Sequence, residues 1–202
     1  MKKHIFLLFL LGFSAIYAQD TLKFGRLVFK QKNSIRELPN DTLWYSPSIV
    51  RTTCNYFDLD KKMDYYRLDN GDTVCTTKEA YQKEAMRGVK KIKTFFYDKD
   101  TLTLAGIKCK KAVVRLQMEN DSVYEYVVYY SSRVGSKKAN YYPVYRDIPG
   151  IPLYLSINNG EGLVQLVEYK PLNPNDLYIP KLSDGFMFQW KKEKRKNKNE
   201  PK

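Results

Sequence analysis

The chain has 202 residues, 43% of them hydrophobic, with 35 Lys and Arg against 22 Asp and Glu and a formal charge of +13. That length suits one domain with a substantial core, and the charge bears on solubility and anionic partners, not on fold. One histidine and three cysteines with no Cys-x-x-Cys pair make a poor set of zinc ligands and exclude most imidazole chemistry.

Residues 1–18 read as a secretory signal peptide. Lys2, Lys3 and His4 form a basic start, Ile5 to Phe13 an apolar run broken by Gly12, and Ala18 a small residue at the cleavage position. The run is too short to span a bilayer, which needs ~20 apolar residues. No later stretch approaches that length, so no transmembrane segment is expected after cleavage. A mature chain from Gln19 has no imidazole, hence no histidine base and no Ser-His or Cys-His nucleophile pair. The expectation is an exported, non-enzymatic protein of the periplasm or cell envelope, with no cofactor and no metal. Export also argues against nucleic acid as a partner, and for anionic lipid headgroups or an acidic protein.

Along the chain the pattern is mostly period-two. Leu22 to Lys30 and Met63 to Leu68 are strand-like. Asp58, Asp60 and Asp64 resemble the start of a calcium loop, but Lys62 stands where an oxygen ligand is needed, so a solvated turn is expected. Asn70-Gly71 is a strong hairpin signal. A turn there and another over Asp58 to Lys61 would set Cys75 opposite Tyr66 and Cys54 opposite Tyr65. The two thiols would then lie on opposite faces and close no disulfide. Thr76 with Glu79 reads as a capping box opening a helix that Gly88 stops, with Ala80, Tyr81, Ala85 and Met86 as its buried side.

Ile92 to Tyr97 and Thr101 to Ile107 read as two strands around Asp98-Lys99-Asp100. Ala112 to Met118 alternates as a half-buried strand, Glu119 to Ser122 turns the chain, and Val123 to Tyr130 returns with Tyr124, Tyr126, Val128 and Tyr130 on one face. Ile151, Leu153, Leu155 and Ile157 share a face before a turn at Asn158 to Gly162 and a partner strand over Leu163 to Tyr169. The last twelve residues, 191–202, carry seven Lys or Arg against two Glu and read as a basic disordered tail. Residues 19–190 then form a single mainly β domain. About ten strands and one short helix make an antiparallel curved sheet, open or half-barrel.

Asp147-Ile148-Pro149-Gly150-Ile151-Pro152-Leu153 is the most specific local feature. Pro149-Gly150 suits the centre of a type II turn, and Pro152 lacks a ladder donor, so its strand should begin there or lie along a sheet edge. The segment resembles the signature of the GLPGLI family of exported proteins from one large group of gram-negative bacteria. Leu104 to Ala112, with Gly106 and Cys109, looks like that family's Gly-x-x-Cys-x-x-Ala strand, and Tyr129-Tyr130-Ser131-Ser132 is similar to its aromatic strand end. Asp147 and Pro152 depart from the signature, so the resemblance is to a divergent relative. It implies an exported β-rich domain of no assigned activity, with Gly106, Cys109, Pro149 and Gly150 as signature positions. By analogy, the strand content is also like that of envelope lipoprotein carriers.

Two functions follow as expectations. In the first, Tyr124, Tyr126, Val128 and Tyr130 line a concave face for a lipid-like or other apolar ligand. In the second, the protein is an accessory subunit that docks on an outer-membrane protein assembly through the Pro149–Pro152 edge and the basic tail.

Overall fold

The structure, a computed structural model, describes residues 22–173 apart from 34–35, 53–54, 68–72, 141 and 159–161. The expected signal peptide, the expected basic tail, Cys54 and the turn expected at Asn70-Gly71 lie outside the described residues. Eleven strands form one open, curved, antiparallel sheet. In chain order they are β1 (Gly25–Asn33), β2 (Glu37–Tyr45), β3 (Ile49–Arg51), β4 (Asn55–Asp58), β5 (Met63–Arg67), β6 (Thr73–Thr77), β7 (Val89–Leu104), β8 (Ile107–Met118), β9 (Val123–Tyr130), β10 (Pro152–Ile157) and β11 (Gly162–Pro171). Their order across the sheet is β6-β5-β4-β3-β2-β1-β11-β10-β9-β8-β7.

The two edge strands, β6 and β7, are consecutive in sequence and joined through helix α1 (Lys78–Ala85). Eleven strands laid flat would separate the edges by roughly 48 Å at ~4.8 Å per strand. An eight-residue helix spans only about 12 Å, and the few residues around it add little. The sheet must therefore curl until its edges approach. That constraint produces the half-barrel shape, with α1 across its mouth.

Thr77, not Thr76, caps α1: its side chain accepts from the Ala80 N–H, and Thr76 is still in β6. Ala80 and Ala85 are exposed. Tyr81 is the helix residue that reaches the core, edge-on to Phe57 at 6.3 Å. The helix ends before Gly88, as its sequence suggests.

Ile92–Tyr97 and Thr101–Ile107 are not two strands. β7 runs straight through them, with Tyr97 opposite Lys111 and Thr101 opposite Lys110, so residues 98–100 are a bulge. Asp98 pairs with Lys110 and Asp100 with Lys111, both at 2.8 Å, holding the extra residues against β8. The true turn is Ala105-Gly106, at φ +45° and +79°. Two successive positive φ values are what a tight hairpin needs, and this explains Gly106.

Further corrections concern register and edges. Between β5 and β6 Cys75 pairs with Tyr65 rather than Tyr66. Between β4 and β5 Asn55 pairs with Tyr66, because the turn covers residues 59–62. Gly150 has no positive φ, so Pro149-Gly150 is not a type II turn. Glycine is required there for closeness: a Cβ would sit 2.3 Å from the Ser131 carbonyl oxygen. Pro152 does begin β10, but β10 lies inside the sheet between β9 and β11. The Pro149–Pro152 segment is therefore not an edge on which a partner could dock.

Two apolar clusters fill the curl. The larger joins Leu27, Phe29, Tyr45, Val50 and Phe57 to Ile107, Cys109, Leu153 and Leu166. The smaller joins Ala112, Val114, Leu116, Val128 and Tyr130 to Ile148.

Candidate functional site, a roofed cleft

Between β9 and β10 the chain leaves the sheet and crosses back over it. This crossing segment, residues 131–151, contains short 3₁₀ turns at Lys137–Ala139 and Pro143–Tyr145. It is pinned at its base by backbone hydrogen bonds from Leu22 N to Arg133 O and from Ile151 N to Val134 O. Beneath it opens a cleft of about 570 Å³. Phe29, Leu43, Leu155 and Val164 form its apolar floor, Tyr142, Val144 and Tyr145 its roof, and Ala85 of α1 touches its rim. The polar groups are few: Gln31 and Asp41 on the strands, Thr52 and Asn55 at one side, and Asn140 above.

Asn140 gives the roof its shape. Its side-chain amide donates to the carbonyl oxygens of Ile148 (2.8 Å) and Gly150 (2.6 Å), with Tyr145 O at 3.3 Å. The residue is buried, so these bonds satisfy carbonyls that water cannot reach. Gly150 thus has two structural duties, accepting from Asn140 and lying against Ser131 without a side chain between them.

A chain of edge-to-face rings ties the roof to the helix and the sheet. Tyr81 meets Tyr142 at 5.9 Å, Tyr142 meets Tyr145 at 6.4 Å, and Tyr145 meets Tyr126 at 6.3 Å. Such pairs contribute ~0.5–1.5 kcal/mol each beyond area burial. Burial raises the hydroxyl pKa of both Tyr126 and Tyr145, with neighbouring tyrosines adding to the shift. These phenols stay neutral and offer a hydrogen-bonding tip on an apolar wall.

The four tyrosine-strand residues do not share one environment. Tyr126 lines the cleft. Val128 is fully buried under Ile148, and Tyr130 is buried with its ring edge-on to Phe96 at 6.0 Å. Tyr124 is exposed. Of the positions that resemble the family signature, Cys109 is fully buried and donates to the Ile107 carbonyl, its thiol pushed up to about 11 by burial. Gly106 borders a second, more polar cavity of about 520 Å³ with Lys108, Lys110, Ser131, Arg133 and Tyr169. Asn140, Tyr142, Tyr145 and Val164 also line the cleft, and no local pattern in the sequence marks any of them as a site residue.

Asp64 stands apart as a fully buried carboxyl on β5. Burial pushes it up to about 6, partly offset by the Asn55 amide 3.5 Å away. Among the described residues, no group of three or more His, Cys, Asp or Glu could hold a metal. Among them, too, no helix is long and apolar enough to cross a membrane.

No protein-family model and no curated protein matches the chain. Among solved structures it is similar to MucB in the crystal structure of its complex with MucA(peri), at 15% identity and a TM-score of 0.36. The match covers 76% of this chain and 52% of that one, so the chain spans about half the length of the structure it matches. A likeness that loose carries no argument about fold or function.

Proposed function

We propose that this protein is an exported, non-enzymatic binding module of the cell envelope that holds a lipid-like or other apolar ligand in the roofed cleft. The observation that carries this reading is the cleft itself. Its volume of about 570 Å³ lies within the roughly 300–1,000 Å³ of ligand sites, and its few polar groups on apolar walls match their usual composition. Tyr126 and Tyr145 supply contact area, while Gln31, Asp41 and Asn55 can orient a single polar end. Export is supported by residues 1–18. Kinship with the GLPGLI family is supported by Gly106, Cys109, Pro149 and Gly150. The lack of histidine after Gln19 supports a non-enzymatic role.

Native mass spectrometry of protein purified from its own envelope tests this reading. The expected result is one apolar adduct per chain, absent from a Val164→Trp variant whose indole fills the cleft. A bare wild-type mass under conditions that keep apolar adducts on other carriers would refute it.

A further inference from the structure

Both ends of an open sheet present unpaired backbone, and proteins blunt such edges with short strands, bulges and charges. Here the two ends differ. β6 has five residues and runs directly into α1. β7 has sixteen, and no described residue pairs with its outer side. Its register breaks twice, between Val89 and Lys91 and between Tyr97 and Thr101. These breaks leave residues 91–97 as an uninterrupted open run, about one average strand in length.

The side chains on that run are unusual for a bare edge. Phe95, Phe96 and Tyr97 are 40%, 47% and 46% exposed. Lys91, Lys93, Phe95 and Tyr97 alternate onto one face, opposite Gln117, Arg115, Val113 and Lys111 of β8. Lys90, Lys110 and Lys111 have carboxylate partners in Asp121, Asp98 and Asp100. Lys91 and Lys93 have none among the described residues. Arg115 lies 5.8 Å over the Phe95 ring and Lys111 5.5 Å over Tyr97. The face is thus basic at one end and aromatic at the other.

We propose that the outer edge of β7 over residues 91–97 takes up an extended acidic protein segment as a twelfth strand. Backbone hydrogen bonds would supply the pairing, and alternate side chains the selectivity. Read antiparallel, the segment has two alternate apolar residues against Tyr97 and Phe95, then two alternate carboxylates against Lys93 and Lys91. Charge selects this occupant over two others. Residues 191–202 of the chain itself hold seven Lys or Arg against two Glu and would be repelled. A second copy pairing symmetrically about Thr94 would set Lys91 against Tyr97 and Lys93 against Phe95, leaving four lysines without a carboxylate.

The test uses the full-length protein and a capped heptapeptide that alternates threonine with valine, valine, glutamate and glutamate in that order. Amide NMR should show saturable shifts confined to β7 and its β8 neighbours. Lys91→Glu with Lys93→Glu should weaken binding about tenfold or more, since two exposed ion pairs become repulsive. A peptide with lysine in place of glutamate should recover binding to that variant. N-methylation of the peptide backbone should abolish binding, which separates strand addition from simple charge attraction. Val164→Trp should leave binding intact, so this edge and the cleft are tested independently. Any of four results would overturn the proposal: no shifts at millimolar peptide, equal binding to the charge-reversed protein, undiminished binding of the N-methylated peptide, or a dimer formed through β7.

Discussion

The cleft and the β7 edge both present aromatic side chains to their surroundings, yet their physics differs. In the cleft, Tyr126 on the sheet and Tyr142 and Tyr145 on the roof are locked edge-to-face, and Asn140 staples the roof's own backbone. On the edge, Phe95, Phe96 and Tyr97 stand on backbone whose outer side no described residue pairs, with unpartnered lysines beside them. Concave apolar surface with satisfied backbone suits a small ligand. Flat apolar surface with unsatisfied backbone suits another chain. The lesson is that exposed aromatic rings identify a function only together with the hydrogen-bonding state of the backbone that carries them.

The strongest way to break the comparison lies along β9, where one alternating face crosses from solvent to cleft to core. Tyr130→Ala, in the smaller core cluster, should cost ~3–5 kcal/mol. That lowers the melting temperature by roughly 6–20 °C at about 2–4 °C per kcal/mol. Tyr124→Ala, at the exposed end, should change stability by under ~0.5 kcal/mol. Equal melting temperatures for the two would erase the division of this strand into core and surface.

Next in size is the roof. Asn140→Ala leaves the Ile148 and Gly150 carbonyls buried without their donor, at ~1–3 kcal/mol for each such group. It should destabilise the protein and release ligand together, seen in one thermal scan and one native mass spectrum. Loss of stability with ligand retained would show that the roof is not part of the binding site.

Asp64 lies behind the cleft residue Asn55, to which it is hydrogen-bonded. Its carboxyl sits at about 6 in the folded protein against an ordinary 3.8. Between about pH 4 and 6 the folded state therefore holds the extra proton, and stability falls as pH rises through that window. Asp64→Asn should match the wild type at pH 4, exceed it at pH 7, and leave peptide binding at β7 unchanged. Urea midpoints at the two pH values check this, and parallel curves would mean that Asp64 is solvated. The smallest effect belongs to Lys91→Glu with Lys93→Glu, which should leave the melting temperature within about 2 °C because both side chains are exposed.

Much of the architecture is legible in the residues. Alternation places β9, β11 and the second half of β8, and the polar stretch at 119–122 marks the turn between β8 and β9. What sequence missed has physical causes. Asp98-Lys99-Asp100 has the composition of a turn, but β7 keeps its pairing with β8 on both sides of it, and Lys110 and Lys111 take up the two aspartates. Pro152 is compatible with an edge or with a first strand position, and only the neighbouring strands decide between them. Gly150 reads as a turn glycine, whereas contact with Ser131 is what requires it. The cleft is legible in the sequence only through Tyr126, because its floor draws single residues from four strands whose order no local pattern encodes. Tyr126 could be picked out from alternation, but Asn140 could not, since its role depends on carbonyls eight and ten residues on.

Titration with the uncharged fluorophore phenylnaphthylamine probes the ligand site beneath the roof. The wild type should give saturable one-to-one enhancement and Val164→Trp none, with the melting temperature of the variant unchanged. Equal enhancement in both proteins, or none in either, would contradict it.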